Sequence, residues 1–362
     1  MKVKLGDVCK IQSGGTPSRS KDNYWNNGTI PWVKIKDFKD KYINITEEFI
    51  TEEGLKNSSA KMVKKGSILF TIFATLGEVA ILNIDATTNQ AIASINIVDE
   101  RIERDYLYYY LKSIKNKVQN IGRGVAQNNI NMSILKGFEF EILEKEKQKQ
   151  IVSILDTVSG IIEKRKKQLE DLDELVKARF VEMFGYPVCN SKNLPTKQLC
   201  EACYLKAGIT TSADKIHDLS KNYKIPCYGG NGIRGYVEKP VYKGEYPIIG
   251  RQGALCGNVQ LAKGEFYATE HAVLVTPLIE ISVLWLYYLL KLMDLYRFHT
   301  GAAQPGLSVK TLNKIDIPIA ELHLQNQFAD FVKQTEKIKE KIQKSLDEMQ
   351  VLFDSLMQKY FS

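Results

Sequence analysis

No stretch of this sequence approaches the roughly 20 apolar residues that a membrane helix requires. Its opening, MKVKLGDVCKI, lacks the apolar core of a secretory signal, so a cytoplasmic chain with reduced thiols is expected. Histidine is scarce: His217, His271, His299 and His323 are the full set, and none stands at obvious metal or triad spacing. One CxxC, Cys200–Cys203, has no second pair or histidine at ligand spacing, so two ordinary thiols are the simpler expectation. Phosphate-loop, nucleophile-elbow, HExxH and kinase motifs are all missing. So is the Asn/Asp-Pro-Pro-aromatic tetrapeptide with which amino-methyltransferases hold a target base. The glycine pairs at Gly122 and Gly230 are too isolated to imply a nucleotide. Absences across so many classes point to a chain that binds rather than catalyses, with no cofactor or metal of its own. A site assembled in space around His271 and Cys256 is the enzymatic alternative.

What the sequence does have is repetition. GVAQNNIN begins at Gly124 and GAAQPGLS at Gly301, 177 residues later. The same offset pairs Ala126 with Ala303 and Gln127 with Gln304, and continues without a gap through Gln148/Gln325 to Phe184/Phe361. Upstream the order is also duplicated, but the offset drifts. KLGDVCKIQSGGTPS answers KQLCEACYLKAGITTS, with Leu5/Leu199, Cys9/Cys203 and Gly14/Gly208. IPW at Ile30 answers IPC at Ile225, TNQAI at Thr88 answers TEHAV at Thr269, and YLYYYLK answers WLYYLLK. Short β-branched runs between Gly, Asn and Pro turns, plus one aromatic helix, indicate a duplicated α+β domain. That helix suggests a stacking platform for bases, but so many large side chains are better explained by core packing.

At 362 residues the chain exceeds one ordinary core. The repeat divides it into residues 1–143, a helical segment 144–184, residues 185–320 and a second helical segment 321–362. The net charge of +8 is carried by the first (+4) and third (+5) segments, whereas the helical segments are 0 and −1. Two basic heads and neutral rods are compatible with a polyanion partner.

In the first rod, Leu155, Val158, Ile162, Leu169, Leu172 and Val176 recur at steps of three and four, apart from a break at Arg165. The second offers Val332, Ile342, Leu346, Met349, Phe353 and Leu356, with breaks at Thr335 and Lys339. Each rod spans about 60 Å at ~1.5 Å per residue. A single seam must be buried, and the other rod is the obvious partner, giving a two-helix coiled coil. The plainer expectation, each rod packed on its own head, conflicts with that length.

The loops of the heads mix cations with amides and aromatics. The first head offers Thr16, Arg19, Lys21, Trp25, Lys34 and Lys36, then Arg123, Gln127 and Asn128. The second offers Tyr228, Asn231, Arg234, Arg251, Gln252, His271 and Gln304. Arginine reads guanine edges, asparagine and glutamine read adenine, and lysine suits phosphate. Each alone is an ordinary turn residue. Gln127 and Gln304, alike in both copies, suit a shared structural or phosphate role better than base discrimination. A coiled-coil scaffold with two protein-binding heads is the competing reading, which leaves the basic heads unexplained.

Taken together, KLGDVCKIQSGGTPS with IPWVKIKDF, the passages GVAQNNI and GAAQPGL, and the helix starts EKEKQKQIVSILD and ELHLQNQFADFV resemble the specificity subunits of type I restriction-modification systems. The resemblance spans essentially the whole chain, departing mainly where IPCYGGNGI replaces IPWVKIKDF. It implies two target recognition domains, each binding half of a split double-stranded DNA sequence, and two long helices paired antiparallel. It further implies a non-catalytic subunit that recruits two methyltransferase subunits and the restriction/translocase subunits. S-adenosylmethionine, ATP and magnesium would belong to those partners.

Overall fold

Both long helices keep the register of the repeat. The central helix spans Lys145–Phe184 and the terminal helix Leu322–Phe361, 40 residues each, with corresponding ends. Neither contains proline. The central helix stops at Gly185, whose φ of +78° suits a residue without a Cβ, and Pro187 follows. The computed structural model describes residues 1–123, 129–301 and 305–361, with backbone only at 122 and 123. Among the described residues no helix is long and apolar enough to cross a membrane.

The fold is α+β and duplicated. One compact unit is Met1–Lys164 with Ser345–Ser362, and the other is Arg165–Lys344. These limits differ from the linear segments read from the repeat, because each unit takes part of both long helices. In the first unit a five-stranded sheet runs Cys9–Ser13, Ile92–Ile97, Ile68–Thr71, Val79–Leu82, Tyr42–Ile43. A three-stranded sheet runs Glu48–Ile50, Ile30–Val33, Thr87–Thr88. The second unit has one six-stranded sheet, in the order Cys203–Ala207, Ala272–Pro277, Tyr242–Gly250, Val259–Ala268, Ile225–Gly229, Gly232–Val237. The strand period of two divides the core of the first unit. Ile68 and Phe70 join the cluster around the aromatic helix, while Leu69 joins Val33, Ile43 and Leu82.

Register confirms the duplication. Cys9 opposes Ile97 as Cys203 opposes Pro277. Trp32 runs parallel beside Thr87 as Cys227 does beside Tyr267. A Cβ on Gly14 would lie 2.2 Å from the Thr88 carbonyl oxygen, and one on Gly208 2.2 Å from that of Ala268. One sequence pairing shifts by a residue. Asn89 N donates to Val33 O at 3.0 Å and Thr269 N to Tyr228 O at 2.9 Å, so Thr269 matches Asn89, not Thr88.

Helix Arg104–Ser113 is core: Tyr106, Leu107, Tyr109, Tyr110 and Leu111 are all buried. Burial of a tyrosine leaves its hydroxyl needing a partner. Tyr106 donates to Glu141 O at 3.1 Å and Tyr110 to Glu139 O at 2.9 Å. A glutamine from each long helix then locks the start of the aromatic helix. Fully buried Gln148 accepts from Glu103 N at 2.9 Å and donates to Arg101 O and Leu143 O at 2.8 and 2.7 Å. Its repeat partner Gln325 accepts from Ser282 N at 2.9 Å and donates to Ala320 O at 2.8 Å.

The helices pair within each unit and also dock on its head. In the first unit Leu155, Val158 and Ile162 are buried with Phe353, and Leu346, Met349 and Leu356 pack against the same core. In the second, Val176 and Val332 are buried in one cluster, while Leu169, Leu172 and Ile342 are half-buried. Phe180 meets Phe328 at 5.3 Å between ring centres, and Asp173 meets Lys339 at 2.9 Å. Rising numbers on one helix meet falling numbers on the other, so the pair is antiparallel. Ile151, Phe180, Phe184, Phe328 and Met357 extend the buried stripe by further steps of four. The breaks are accommodated: Lys339 pairs with Asp173 and Glu336, Thr335 donates to Phe331 O at 3.0 Å, and Arg165 donates to Gln168 at 2.8 Å.

Candidate nucleic-acid interface

In the first head the basic loop is a folded knot. The Arg19 guanidinium lies 3.6 Å from the Trp25 ring centre and pairs with Glu48 at 2.6 Å. Trp25 meets Trp32 edge-on at 5.0 Å, and buried Trp32 donates through Nε1 to Gly15 O at 3.0 Å. Half-buried Lys34 bridges Glu48 and Glu47 at 2.8 and 2.9 Å. Hydrogen bonds donated to Glu48 and then to Glu47 raise the Lys34 pKa. Lys21 donates to the Tyr24 hydroxyl at 2.9 Å, and the Thr16 hydroxyl donates to Gln90. Lys36 is exposed. Arg19 and Lys34 are thus partly neutralised by carboxylates, while Lys21 and Lys36 remain presented to solvent.

The repeated passage is anchored alike in both heads. Ile130 N donates to Ile72 O at 3.1 Å, and Leu307 N to Arg251 O at 2.8 Å. Isolated bridges join Phe73 to Asn129 and Gln252 to Gly306. Asn131 then caps helix Met132–Lys136 by accepting from Ile134 N, as Ser308 caps Val309–Asn313 by accepting from Thr311 N. Gln127, Asn128 and Gln304, and the side chain of Arg123, lie outside the described residues.

In the second head three turns converge. A Cβ on Gly230 would lie 3.3 Å from His271 O and 3.7 Å from Gln252 O. Arg251 N donates to His271 O at 3.0 Å, and Arg251 Nη1 reaches Glu270 O at 3.5 Å. His271 Nε2 is 3.2 Å from Glu270 Oε1. Half-buried Tyr228 packs edge-on against Phe266 at 5.7 Å, Asn258 donates to Asn231, and Arg234 and Gln252 are exposed. Arg251, Gln252 and His271 therefore share one spot, bordered by the strand hairpin that carries Tyr228, Asn231 and Arg234.

Sequence reading missed Glu48 and Glu270, the carboxylates within these clusters. Glu270 was signalled by its place between Thr269 and His271, once the alignment is shifted by one residue. The four buried cysteines all have raised thiol pKa values, with burial the largest cause. Burial pushes the Cys203 thiol up to about 12, and burial with Asp99 does the same to Cys9. Cys256 is buried like Leu76, and burial raises its pKa too.

A family model described as the type I restriction modification DNA specificity domain matches residues 1–171 and again 191–348. The specificity subunit of the type I restriction enzyme EcoprrI of Escherichia coli is 31% identical over 348 residues, covering 89% of this chain and 84% of that protein. A putative type I specificity subunit of Mycoplasma genitalium is 23% identical over 372 residues, covering 92% of this chain and 95% of its own. The crystal structure of a type I restriction-modification S subunit from M. genitalium shares the fold at TM-score 0.61 and 18% identity, covering 100% of this chain and 96% of that one. With both halves of the chain matched and its duplicated fold shared, this protein belongs to the family of type I restriction-modification DNA specificity subunits.

Proposed function

We propose that this chain is the non-catalytic, DNA-reading subunit of a cytoplasmic type I restriction-modification complex. Each head takes one half of a bipartite, asymmetric double-stranded target. The observation that carries the reading is one scaffold built twice with different side chains at equivalent turns: Ile72 and Phe73 in one head, Arg251 and Gln252 in the other. Unlike heads read unlike half-sites. The spacing of the half-sites would be set by the paired long helices. Their neutral, Glu- and Lys-rich outer faces suit docking of two methyltransferase subunits and the restriction/translocase subunits. S-adenosylmethionine, ATP and magnesium would be held by those partners.

The test is an exchange of residues 1–143 for the corresponding head of another family member, followed by mapping of modified bases across the host genome. One half of the methylated motif should change while the other half and the spacing stay. A change in both halves, or in neither, contradicts the modular reading.

A further inference from the structure

We infer that Arg251 and Glu270 together read a G·C base pair in the half-site taken by the second head, an inference that rests on the DNA-reading function proposed above. The two heads differ most sharply in chemistry where their backbones agree. Arg251 stands where the first head has Ile72: the carbonyl of each accepts from the residue ending the repeated passage, Leu307 or Ile130. Their amides donate to His271 O and Ala91 O, which sets Glu270 opposite Gln90. In the first head this position is apolar and closed, with Ile72 and Ala91 buried and Gln90 tied to Thr16. The backbone of the turn therefore holds without a charge.

The second head places an arginine and a carboxylate there, and leaves both incompletely used. Arg251 Nε and Glu270 Oε2 are buried, with no hydrogen-bond partner among the described residues. Leaving such groups unpaired is costly, and both side chains are only half-buried, Glu270 being 32% exposed, so each can turn its unpaired atom outward to a ligand that completes it. The ligand must offer adjacent acceptors to a guanidinium and a donor to a carboxylate. In the major groove, guanine presents N7 and O6 as acceptors, and its paired cytosine presents an N4 donor. Arg251 takes the guanine edge and Glu270 the cytosine amino group.

The measurement is the genome-wide methylated motif in the host, with the native complex carrying wild-type chain, Arg251→Ile or Glu270→Ala. Arg251→Ile installs the residue that the first head already folds with at this position. Each variant should lose preference at one G·C position of the second half-site by roughly tenfold or more, with every other position retained. An unchanged motif, relaxation at an A·T position, or relaxation in the half-site altered by exchanging residues 1–143 would each overturn the assignment. Should Arg251→Ile fail to accumulate, Glu270→Ala decides by the same criteria. A wild-type complex that methylates no bipartite motif refutes the DNA-reading function itself, a result distinct from an unchanged motif.

Discussion

Gln148→Ala should loosen the first head far from any basic loop. The side chain is fully buried and serves three backbone groups: Glu103 N, Arg101 O and Leu143 O. Truncation strands the Glu103 amide, at ~1–3 kcal/mol for a buried unsatisfied donor, and leaves two carbonyls short of one bond each. A loss of about 3 kcal/mol follows, or roughly 6–12 °C at ~2–4 °C per kcal/mol for a unit of this size. Gln148→Glu keeps the shape but aims a carboxylate oxygen at two carbonyls, so its loss should be larger at neutral pH and smaller in mild acid, where the protonated form donates again. Hydrogen exchange of the Glu103 amide reports locally: strong protection in the wild type and rapid exchange in Gln148→Ala. Retained protection, or a loss below about 1 kcal/mol, would refute the clamp. Gln325→Ala should act on Ser282 N in the other unit, by about 2 kcal/mol, because its amide group makes one bond fewer.

Gly14→Ala and Gly208→Ala each force a Cβ to 2.2 Å from a backbone oxygen, so each should lower the thermal midpoint, whereas Gly160→Ala, in open space, should not. The half-buried Asp105 carboxyl is pushed up by burial, but Lys41 and Arg104 outweigh that and hold its pKa below the ordinary value. Its stabilisation is therefore complete above about pH 4 and fades as pH falls through the depressed value. The stability gap between wild type and Lys41→Met, followed by urea unfolding, should narrow in acid; a gap that widens there contradicts the pairing. A maleimide at mildly alkaline pH should label exposed Cys189 and Cys200 in the native chain, and Cys9 and Cys203 only after unfolding. DNA affinity of the isolated chain should fall with salt by ~0.9 log units per decade for each phosphate neutralised. Salt-insensitive binding would favour a protein-binding scaffold.

The parts of the fold legible in the sequence were those written in local periodicity. The 177-residue offset carries straight through both long helices because a continuous helix tolerates no insertion without rotating its buried face. Sheet register was less accessible. Matching Thr88 to Thr269 weighed side-chain identity, whereas the turn is defined by backbone bonds from Asn89 and Thr269. Gln148 and Gln325 stood out as a matched pair, but their task is tertiary and nothing near them in sequence announces it. Phe180, Phe184 and Phe328 escaped a seam drawn only for helix pairing, because they also meet Trp285 or Tyr288 of the head. At the candidate interface the cations were visible, but their neighbours were not. Glu48 and Glu270 lie far in sequence from Arg19 and Arg251, and only folding brings them beside those arginines.

Because the first unit includes residues 345–362, its core closes only when Phe353, Met357 and Phe361 reach Tyr106, Tyr109 and Tyr110. The second unit, Arg165–Lys344, is continuous in sequence and draws on none of those residues. The earlier head in sequence therefore depends on chain that lies beyond the later one. A premature stop near Ser345 would spare the later-made head and cripple the earlier one.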